Sequence, residues 1–536
     1  MSKLYSLASA LGISPRFRDT LGNEHVASEA TIRTLVRATG TRIDTEDEIS
    51  ESLQRLSSDP FQGSGIPVAT SGVVKLSLDG PFDWQLRLED GTEREGYTDG
   101  KLRLNGLPIG LHELTVTSSE GSWTTPLPSA PKSAPLLGEL TTTQRGWGVA
   151  APVYGLEGPC GIGTYAALGR LASGLGSMGA SYLLGNPLHA LFPTAPSAYS
   201  PYSPSHRRFF NIAHIDPTAA PEFQTSETAQ ALLENAVHAS PEADLVDYPA
   251  SARTQGPILD ALFARFDLLP SAHPRRLDFE RWRADRGVSL ERYALYEALA
   301  EQHGAFWSAW PTELKDSSGI ELTATLTRAA YKHAWYQWLT ETQLADAQQS
   351  AKTGGMALGL MLDLAVGVRA DGAEAWAEPD NLANGVSIGA PPDDFNPSGQ
   401  NWALAPLNPR AMRRGGLHAF AETLRASMRY AGALRIDHIL GLNRNFWIAN
   451  DTGEGTYIQF PQQALFAVLA IEAHRNQCIV IGEDLGNVPE GFRNQMDANG
   501  LYGCRLLYFQ RSESGAFADP KNYAPKTVAS IGSHDL

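Results

Sequence analysis

Cysteine is scarce in this sequence, and the few cysteines lack the spacing of a structural site. Only Cys160, Cys478 and Cys504 are present, their number is odd, and no two of them form a CxxC pair. This pattern excludes a disulfide framework and a cysteine-based zinc site. We therefore expect reduced thiols in a cytoplasmic protein, with no metal.

Long apolar runs, basic clusters and phosphate loops are also missing. The most apolar segment, GGMALGLMLDLAVG at residues 354–367, is too short to cross a bilayer and carries Asp363. The first residues show no signal-peptide pattern. The net charge is −16 and the basic residues are scattered, which disfavours nucleic acid and membrane as partners. Neither GxGxxG nor GxxxxGKS/T occurs, and we expect no cofactor.

Three regions with different patterns follow one another along the chain. Residues 1–63 contain helix-spaced apolar positions that run into glycine or proline, which predicts a helical region. Residues 64–135 alternate apolar and polar residues between glycine-containing turns, which predicts a small β-sandwich-like domain. Its proline-rich end, PLPSAPKSAP at 126–135, indicates a linker. From residue 140 to 536, short apolar strands alternate with helical stretches.

This last region has the pattern of a parallel sheet. Repeated βα units imply either a doubly wound sheet or a barrel. Long helical stretches between the second and third strands predict an inserted helical subdomain at about residues 205–350. The predicted strands are 147–155, 181–189, 357–367, 433–438, 478–484, 504–509 and 527–535.

Acidic residues lie at the carboxyl ends of four predicted strands. A helix N-cap explains any one of them as well as a functional site does. Four such ends in one chain instead indicate a cleft, because a barrel places its active site on that face. The residues are Asp363, Asp437 with His438, Glu483 with Asp484, and His534 with Asp535.

Several carboxylates in one cleft are typical of glycosyl transfer. One attacks the anomeric carbon and a second protonates the leaving oxygen, and in retaining enzymes the two lie about 5–5.5 Å apart. Arg435 precedes Asp437 by two residues, so both point to one face of a strand, and the arginine favours an ionised nucleophile. A metal site built from His438, His534 and Asp363 is the alternative, although the His-x-His pair of metallohydrolases is missing from the first strand.

Three motifs carry a resemblance to a known family. RIDHILG (435–441), IGEDLG (481–486) and GSHDL (532–536), in that order, resemble the 4-α-glucanotransferases called amylomaltases or disproportionating enzymes, glycoside hydrolase family 77. The resemblance runs from about residue 145 to the last residue. Further similar segments are the Ser-Pro-Tyr loop SPYSPSHRRFFNIAHIDP (200–217), the third-strand region LDLAVGVRADGAEAW (362–376) and the acceptor-site loop GAPPDDFNPSGQNW (389–402).

The resemblance implies an α/β fold of the (β/α)8 TIM-barrel type. The helical and β-sandwich regions before residue 140 are similar to the N-terminal extension of longer bacterial members. Family members continue beyond the GSHDL motif through a helix, an eighth strand and its helix. We therefore expect a C-terminally truncated barrel that lacks these last elements. In the first βα loop, Thr164 stands where many relatives carry an acidic residue.

The resemblance also implies a role for each matching residue. Asp437 is the expected nucleophile, Glu483 the general acid/base, and Asp535 a third carboxylate that stabilises the distorted donor sugar. Arg435 is expected to orient Asp437. The substrate-binding residues implied in the same way are Tyr202, Asp363, Asp393, Phe395, Gln400, Trp402, His438 and His534. Without the motifs, the preferred interpretation of Tyr202 and Trp402 is that they are packing aromatics.

The implied reaction is transfer of α-1,4-glucan segments by a retaining double displacement. The donors are maltooligosaccharides or glucans, the acceptor is the 4-OH of glucose or a maltooligosaccharide, and the setting is maltodextrin and glycogen metabolism. No metal or cofactor is implied. Two alternatives remain open from the residues alone: a hydrolase of the α-amylase kind, and a glucan-binding protein without catalysis.

Overall fold

Two compact units make up the chain. The structure is a computed structural model that describes residues 2–19, 22–62, 65–239, 245–393, 396–512 and 514–532. The first unit comprises Met1–Thr142, Asp380–Met428 and Leu434–Leu536, and the second comprises Thr143–Pro379 and Arg429–Ala433. Among the described residues, no helix combines the length and the apolar character needed to span a membrane.

The N-terminal part of the first unit contains three helices and a short hairpin. Its elements are α1 Lys3–Ala10, β1 Arg16–Arg18, β2 Glu24–Val26, α2 Glu29–Ala38 and α3 Glu46–Ser57. Side-chain caps start the longer helices, because Ser28 accepts from the amide of Thr31 and Thr45 forms a capping box with Glu48. The β1–β2 hairpin was not predicted, since strands of 3 residues are too short to show an alternating pattern.

A small antiparallel β region follows. Its elements are β3 Ala69–Thr70, β4 Val74–Ser77, β5 Phe82–Arg87, β6 Glu93–Thr98, β7 Lys101–Leu104, β8 Gly110–Ser118, β9 Gly121–Ala130 and the short helix α4 Leu137–Leu140. One sheet has the order β3-β9-β8-β5-β6, and β4 pairs with β7. Alternate residues of these strands, such as Leu86, Leu114 and Leu127, form a shared apolar core.

The predicted linker at 126–135 is wrong in its first half, because these residues belong to β9. Strand β3 pairs with Ser129 and Ala130. Within the described part of the chain, Pro126 and Pro128 therefore lie where β9 has β8 on one side and no strand on the other. Proline has no N–H to donate and is tolerated at such an edge.

The second unit combines parallel strands with long helices. Its elements are β10 Gly148–Ala150, α5 Tyr165–Ser177, β11 Tyr182–Leu184, β12 His189–Ala190, β13 His206–Phe210, α6 Glu227–Ala239, α7 Tyr248–Asp267, α8 Pro274–His303, α9 Ala324–Thr353, β14 Gly359–Leu364, β15 Val368–Arg369 and α10 Ala373–Ala377. Strands β10, β11 and β14 are adjacent and parallel. β14 is buried throughout and lies within the apolar strand predicted at 357–367. Helices α7, α8 and α9 enclose an aromatic core that includes Phe266, Phe279 and Trp335.

The rest of the first unit contains two further sheets. Its elements are β16 Val386–Ala390, β17 Gln400–Ala405, α11 Pro409–Ala411, α12 Leu417–Met428, β18 Ala433–Ile436, β19 Arg444–Ala449, β20 Gly455–Gln459, α13 Gln462–Arg475, β21 Ile479–Gly482, α14 Phe492–Ala498, β22 Tyr502–Leu506 and β23 Thr527–Ser530. β21, β22 and β23 are parallel, and the amide of Glu483 donates to the carbonyl of Ile436 at the end of β18 (3.0 Å).

All seven strands predicted after residue 140 are present and shorter than predicted. The strand predicted at 504–509 is also displaced, since β22 begins at Tyr502 and ends at Leu506. The end of the last predicted strand, 533–535, lies outside the described residues. The antiparallel group β17-β16-β19-β20 was not predicted. Its sequences lie inside the stretches that separate the parallel strands, and the β16–β17 and β19–β20 connections are both longer than the two-residue turn that most clearly marks a hairpin.

Candidate active site

The end of β18 presents an arginine–carboxylate pair. Strand β18 is buried, and Asp437 directly follows it with its side chain 20% exposed. The Nη2 atom of Arg435 lies 3.1 Å from Oδ1 of Asp437, as expected for side chains two apart on one face of a strand. The nearly buried guanidinium stabilises the ionised carboxylate.

Glu483 is joined to this strand end by backbone hydrogen bonds. The amide of His438 donates to Oε2 of Glu483 (3.0 Å) and the amide of Leu485 donates to Oε1 (2.8 Å). His438 has a left-handed backbone with φ 46°, a conformation that costs about 1–3 kcal/mol for a residue other than glycine. Glu483 therefore lies within hydrogen-bond reach of the backbone that follows Asp437.

Asp484, the neighbour of Glu483, has a separate structural role. Its side chain is 1% exposed and pairs with Arg493 at 2.6 Å and Arg505 at 2.9 Å. It also accepts from the amide of Cys504 (2.8 Å). Consecutive residues of an extended segment point to opposite sides, which explains why Asp484 is held by Arg493 and Arg505 whereas Glu483 accepts from the amide of His438.

His438 and Trp402 lie next to the carboxylates. Their rings meet edge to face at 5.1 Å. Nε1 of Trp402 donates to Oε1 of Gln400 (3.1 Å). Desolvation lowers the pKa of His438 to about 4, so its imidazole is neutral at pH 7 and offers one donor and one acceptor. The predicted residue Asp393 lies in the same unit, where its Oδ1 accepts from the amide of Asn396 (2.6 Å).

In the second unit, the structure brings Tyr202 and Asp363 together. Asp363 lies in β14 and is buried, and the hydroxyl of Tyr202 donates to its Oδ2 (2.8 Å). The predicted residues Phe395, His534 and Asp535 lie outside the described residues.

A buried polar cluster that was not predicted lies in the segment that follows Tyr202. Arg207 donates to Glu374 at 2.6 Å, and the amide of Ala365 donates to Nε2 of His189 (3.2 Å). Burial alone would raise the pKa of Glu374, but the charges of Arg207, His206 and Arg208 outweigh it and lower that pKa. The pattern HRRFF and a distant glutamate give no sequence signal of this pairing, because the partners are far apart in the chain.

No metal cluster accompanies these residues in the described ranges, where no group of three or more His, Cys, Asp and Glu side chains is placed to hold an ion. Two carboxylates at neighbouring strand ends, one beside an arginine and one accepting from the amide of His438, match the paired acids of the class of enzymes that act on glycosidic bonds.

Comparisons with known proteins place the chain within this class. A family model described as 4-alpha-glucanotransferase matches residues 151–536. The 4-alpha-glucanotransferase of Mycobacterium tuberculosis is 32% identical over 579 aligned positions, which cover 99% of this chain and 79% of the relative. That of Haemophilus influenzae is 35% identical over 458 positions, covering 81% of this chain and 65% of the relative. The crystal structure of amylomaltase from Corynebacterium glutamicum has a TM-score of 0.85 at 29% identity, covering 100% of this chain and 79% of that one.

The chain therefore belongs to the 4-alpha-glucanotransferase family, glycoside hydrolase family 77. It is an enzyme of amylomaltase type with the corresponding α/β fold. These comparisons confirm the family resemblance inferred from the RIDHILG, IGEDLG and GSHDL motifs.

Proposed function

We propose that the chain transfers α-1,4-glucan segments by a retaining double displacement in which Asp437 is the nucleophile and Glu483 the acid/base. The observation that carries this proposal is the Arg435–Asp437 pair, joined through the amide of His438 to the carboxylate of Glu483. Two carboxyl groups with different surroundings are what such a mechanism requires.

In the first step, the carboxylate of Asp437 attacks the anomeric carbon of the donor. The glycosidic C–O bond breaks, and the proton of Glu483 goes to the leaving 4-oxygen. In the second step, Glu483 takes the proton of the acceptor 4-OH, whose oxygen attacks the anomeric carbon and displaces Asp437. Arg435 keeps the nucleophile ionised and oriented throughout.

The remaining predicted residues complete the proposal. Asp535 would stabilise the distorted donor sugar, and Tyr202 would stack on it. Gln400, Trp402 and Phe395 would contact the acceptor, and the other substrate-binding residues would be Asp363, Asp393, His438 and His534. Maltooligosaccharides, α-1,4-glucans and glucose are the proposed ligands. A (β/α)8-type barrel with a helical insertion, the three-domain division and a cytoplasmic location stay predictions.

Product analysis with maltotriose at neutral pH, with a chelator present, tests the proposal. A ladder of longer maltooligosaccharides plus glucose, with few new reducing ends, is the expected result. New reducing ends without a ladder would instead mean hydrolysis. Binding without any turnover would mean a glucan-binding protein.

Replacement of the nucleophile gives the sharper test. Asp437→Asn removes the attacking carboxylate and should lower kcat by at least about 10⁴-fold, because no covalent intermediate can form. The matched control is Asp380→Asn, which changes an exposed acid and should keep wild-type activity. Near-normal turnover of Asp437→Asn would remove Asp437 from the mechanism.

A further inference from the structure

A cavity beside the acceptor-site loop is formed in part by the N-terminal hairpin. It holds about 440 Å³ and is lined by Phe17 and His25 of β1–β2, by Gln400 and Asn401 of β17, and by Phe446 and Glu454 of the β19–β20 hairpin. We call it the hairpin cavity. Its volume is in the range of small-ligand sites. Every residue that lines it belongs to the first unit.

Aromatic rings form one side of the hairpin cavity. Phe17 and His25 stack at 4.9 Å with an interplanar angle of 11°. Phe446 meets Phe17 edge to face at 5.1 Å. The imidazole of His25 is held by Asp19 at 2.8 Å and is 38% exposed. Such rings offer an apolar surface. The C–H face of a pyranose, the apolar side of an otherwise polar ligand, can pack against it.

The other side of the hairpin cavity is formed by polar side chains that can make further hydrogen bonds. Oδ1 of Asn401 accepts from Ser387 and from the amide of Ala403, and Oε1 of Gln400 accepts from Trp402. Among the residues that the structure describes, neither NH₂ group of these amides has a partner. Oε2 of Glu454 accepts from Ser28 and Thr31, whereas its Oε1 has no partner in the same described part.

These groups select the chemistry of the ligand. Two amide donors, one carboxylate acceptor and stacked rings fit a ligand with several hydroxyls and an apolar face. Glu454 and the net charge of −16 disfavour phosphates and other anions. A neutral oligosaccharide has both the hydroxyls and the apolar face, and it carries no negative charge.

Contacts connect the hairpin cavity to the reacting carboxylates. Gln400 lines the cavity and accepts from Trp402, and Trp402 packs against His438, which follows Asp437. These contacts link the cavity, through Gln400, Trp402 and His438, to the residue that follows Asp437.

The wall formed by the N-terminal residues is fixed in place. The amide of Ser14 donates to the carbonyl of Tyr457, and the amide of Gln459 donates to the carbonyl of Gly12, each at 2.9 Å, so residues 12–14 extend the edge of β20. Glu454 accepts from the N-cap residue Ser28 of α2 at 2.6 Å. The cavity is thus preformed, which reduces the entropy lost when a ligand binds.

We infer that the hairpin cavity binds glucosyl units of long acceptor chains and that the N-terminal region thereby contributes to selection of acceptor length. This inference rests on the proposed transferase function, which supplies the acceptor. Short acceptors such as glucose do not reach the cavity and gain nothing from it.

Acceptor length is the variable in the test. The chain and its variants receive a fixed donor, α-maltotriosyl fluoride, and either glucose or maltoheptaose as acceptor. Val26 lines the cavity and is 59% exposed, so Val26→Trp should fill the cavity with little effect on folding. His25→Ala removes one of the two stacked rings. Arg16→Ala is the matched control, because Arg16 is an exposed residue of the same hairpin that does not line the cavity.

The expected result is a fall of about tenfold in the ratio of kcat/KM for maltoheptaose to kcat/KM for glucose, the effect of losing one stacking or hydrogen-bond contact. Val26→Trp and His25→Ala should both show it, and Arg16→Ala should keep the wild-type ratio. The inference would be overturned if Val26→Trp left the ratio unchanged. This holds whether kcat/KM falls equally for maltoheptaose and glucose or for neither of them.

A binding measurement separates this inference from the proposed function. Calorimetric titration of maltoheptaose into Asp437→Asn, with and without Val26→Trp, needs no turnover. An affinity about tenfold weaker with Val26→Trp would support the cavity even if the wild-type chain transferred nothing. Equal affinities would overturn it even if transfer were fast.

Discussion

In the proposed mechanism, Glu483 acts as an acid in one half of the reaction and as a base in the other. Two backbone amides, from His438 and Leu485, donate to its two oxygens. Such bonds favour the ionised carboxylate, which is the form that removes a proton from the acceptor hydroxyl. The protonated form needed first is favoured when a bound glucan displaces water from around the carboxyl group.

Glu483→Gln should separate proton transfer from nucleophilic attack. The amide cannot protonate a leaving sugar, so kcat for maltotriose should fall by about 10²–10⁴-fold. α-Maltotriosyl fluoride needs no such protonation, so the burst of fluoride release in the first step should be largely retained. Parallel measurements on Glu490→Gln, an exposed acid of the same loop, provide the control. An equal loss with both donors would contradict an acid/base role.

At the level of secondary structure, the β16–β17 hairpin carries Gln400 and Trp402, the proposed acceptor contacts, and part of the hairpin cavity. The strands approach so closely at Gly389 that an added Cβ would lie 2.1 Å from the carbonyl oxygen of Gln400. The pairing also shifts register between Ile388 and Gly389. Glycine at this point allows the backbone to present Gln400 and Trp402 on the segment that contacts His438.

Helix α8 contains a buried acid that should make stability depend on pH. Desolvation raises the pKa of Glu297 from 4.5 to about 8 and outweighs the opposing hydrogen bond from Tyr293. Between about pH 5 and pH 8 the folded chain therefore keeps a proton that the unfolded chain has lost. The folded state binds more protons than the unfolded state in this window. The contribution of Glu297 to the free energy of unfolding is therefore fully present below pH 4.5 and is lost as the pH rises through 8.

Glu297→Gln should remove this pH dependence. A neutral amide avoids the cost of burying a charge, so the thermal midpoint at pH 8 should rise by about 2–4 °C relative to wild type, and the decline between pH 5 and pH 8 should become shallower. Thermal unfolding at a series of pH values measures this. Glu291→Gln changes an exposed glutamate of the same helix and should follow the wild-type curve; a wild-type curve for Glu297→Gln as well would refute the prediction.

At the level of the whole chain, the small β domain is joined to the C-terminal part of the first unit by an ion-pair network. Strand β9 packs against helix α13. Glu472 of α13 is fully buried and accepts from Arg425 at 2.8 Å and Arg475 at 3.0 Å. Arg475 also pairs with Glu89, which accepts in turn from the amide of Leu111 (3.3 Å). One arginine thus links a buried acid of α13 to an acid of the β domain.

Arg475→Ala should loosen this attachment without unfolding the chain. Glu472 keeps Arg425 as a partner, and Glu89 is partly exposed, so we expect a loss of only about 1 kcal/mol. Limited proteolysis should show faster cleavage near residues 131–136, where the β domain ends. Arg281→Ala breaks an ion pair that is exposed on both sides and is the matched control. Equal cleavage rates in both variants would show that the network does not hold the domain.

The sequence alone was enough to predict the parallel strands, the family, and the position of the short motifs at strand ends. Buried strands such as β14 are continuous apolar runs, and Arg435 and Asp437 share a face because alternation in a strand is local geometry. The hydrogen bond from the amide of His438 to Glu483 could not be predicted from local geometry, because 45 residues separate the two.

Only the tertiary structure decided which distant groups meet. The ion pairs of Asp484, the Arg207–Glu374 pair and the hairpin cavity all join residues whose spacing in the sequence carries no signal. Even the N-terminal hairpin, with strands of 3 residues, was too short for a periodic pattern. Periodicity and motifs reflect the local geometry of one segment. Burial, charge pairing and cavities depend on how separate segments pack, from 9 residues apart for Asp484 and Arg493 to 167 for Arg207 and Glu374.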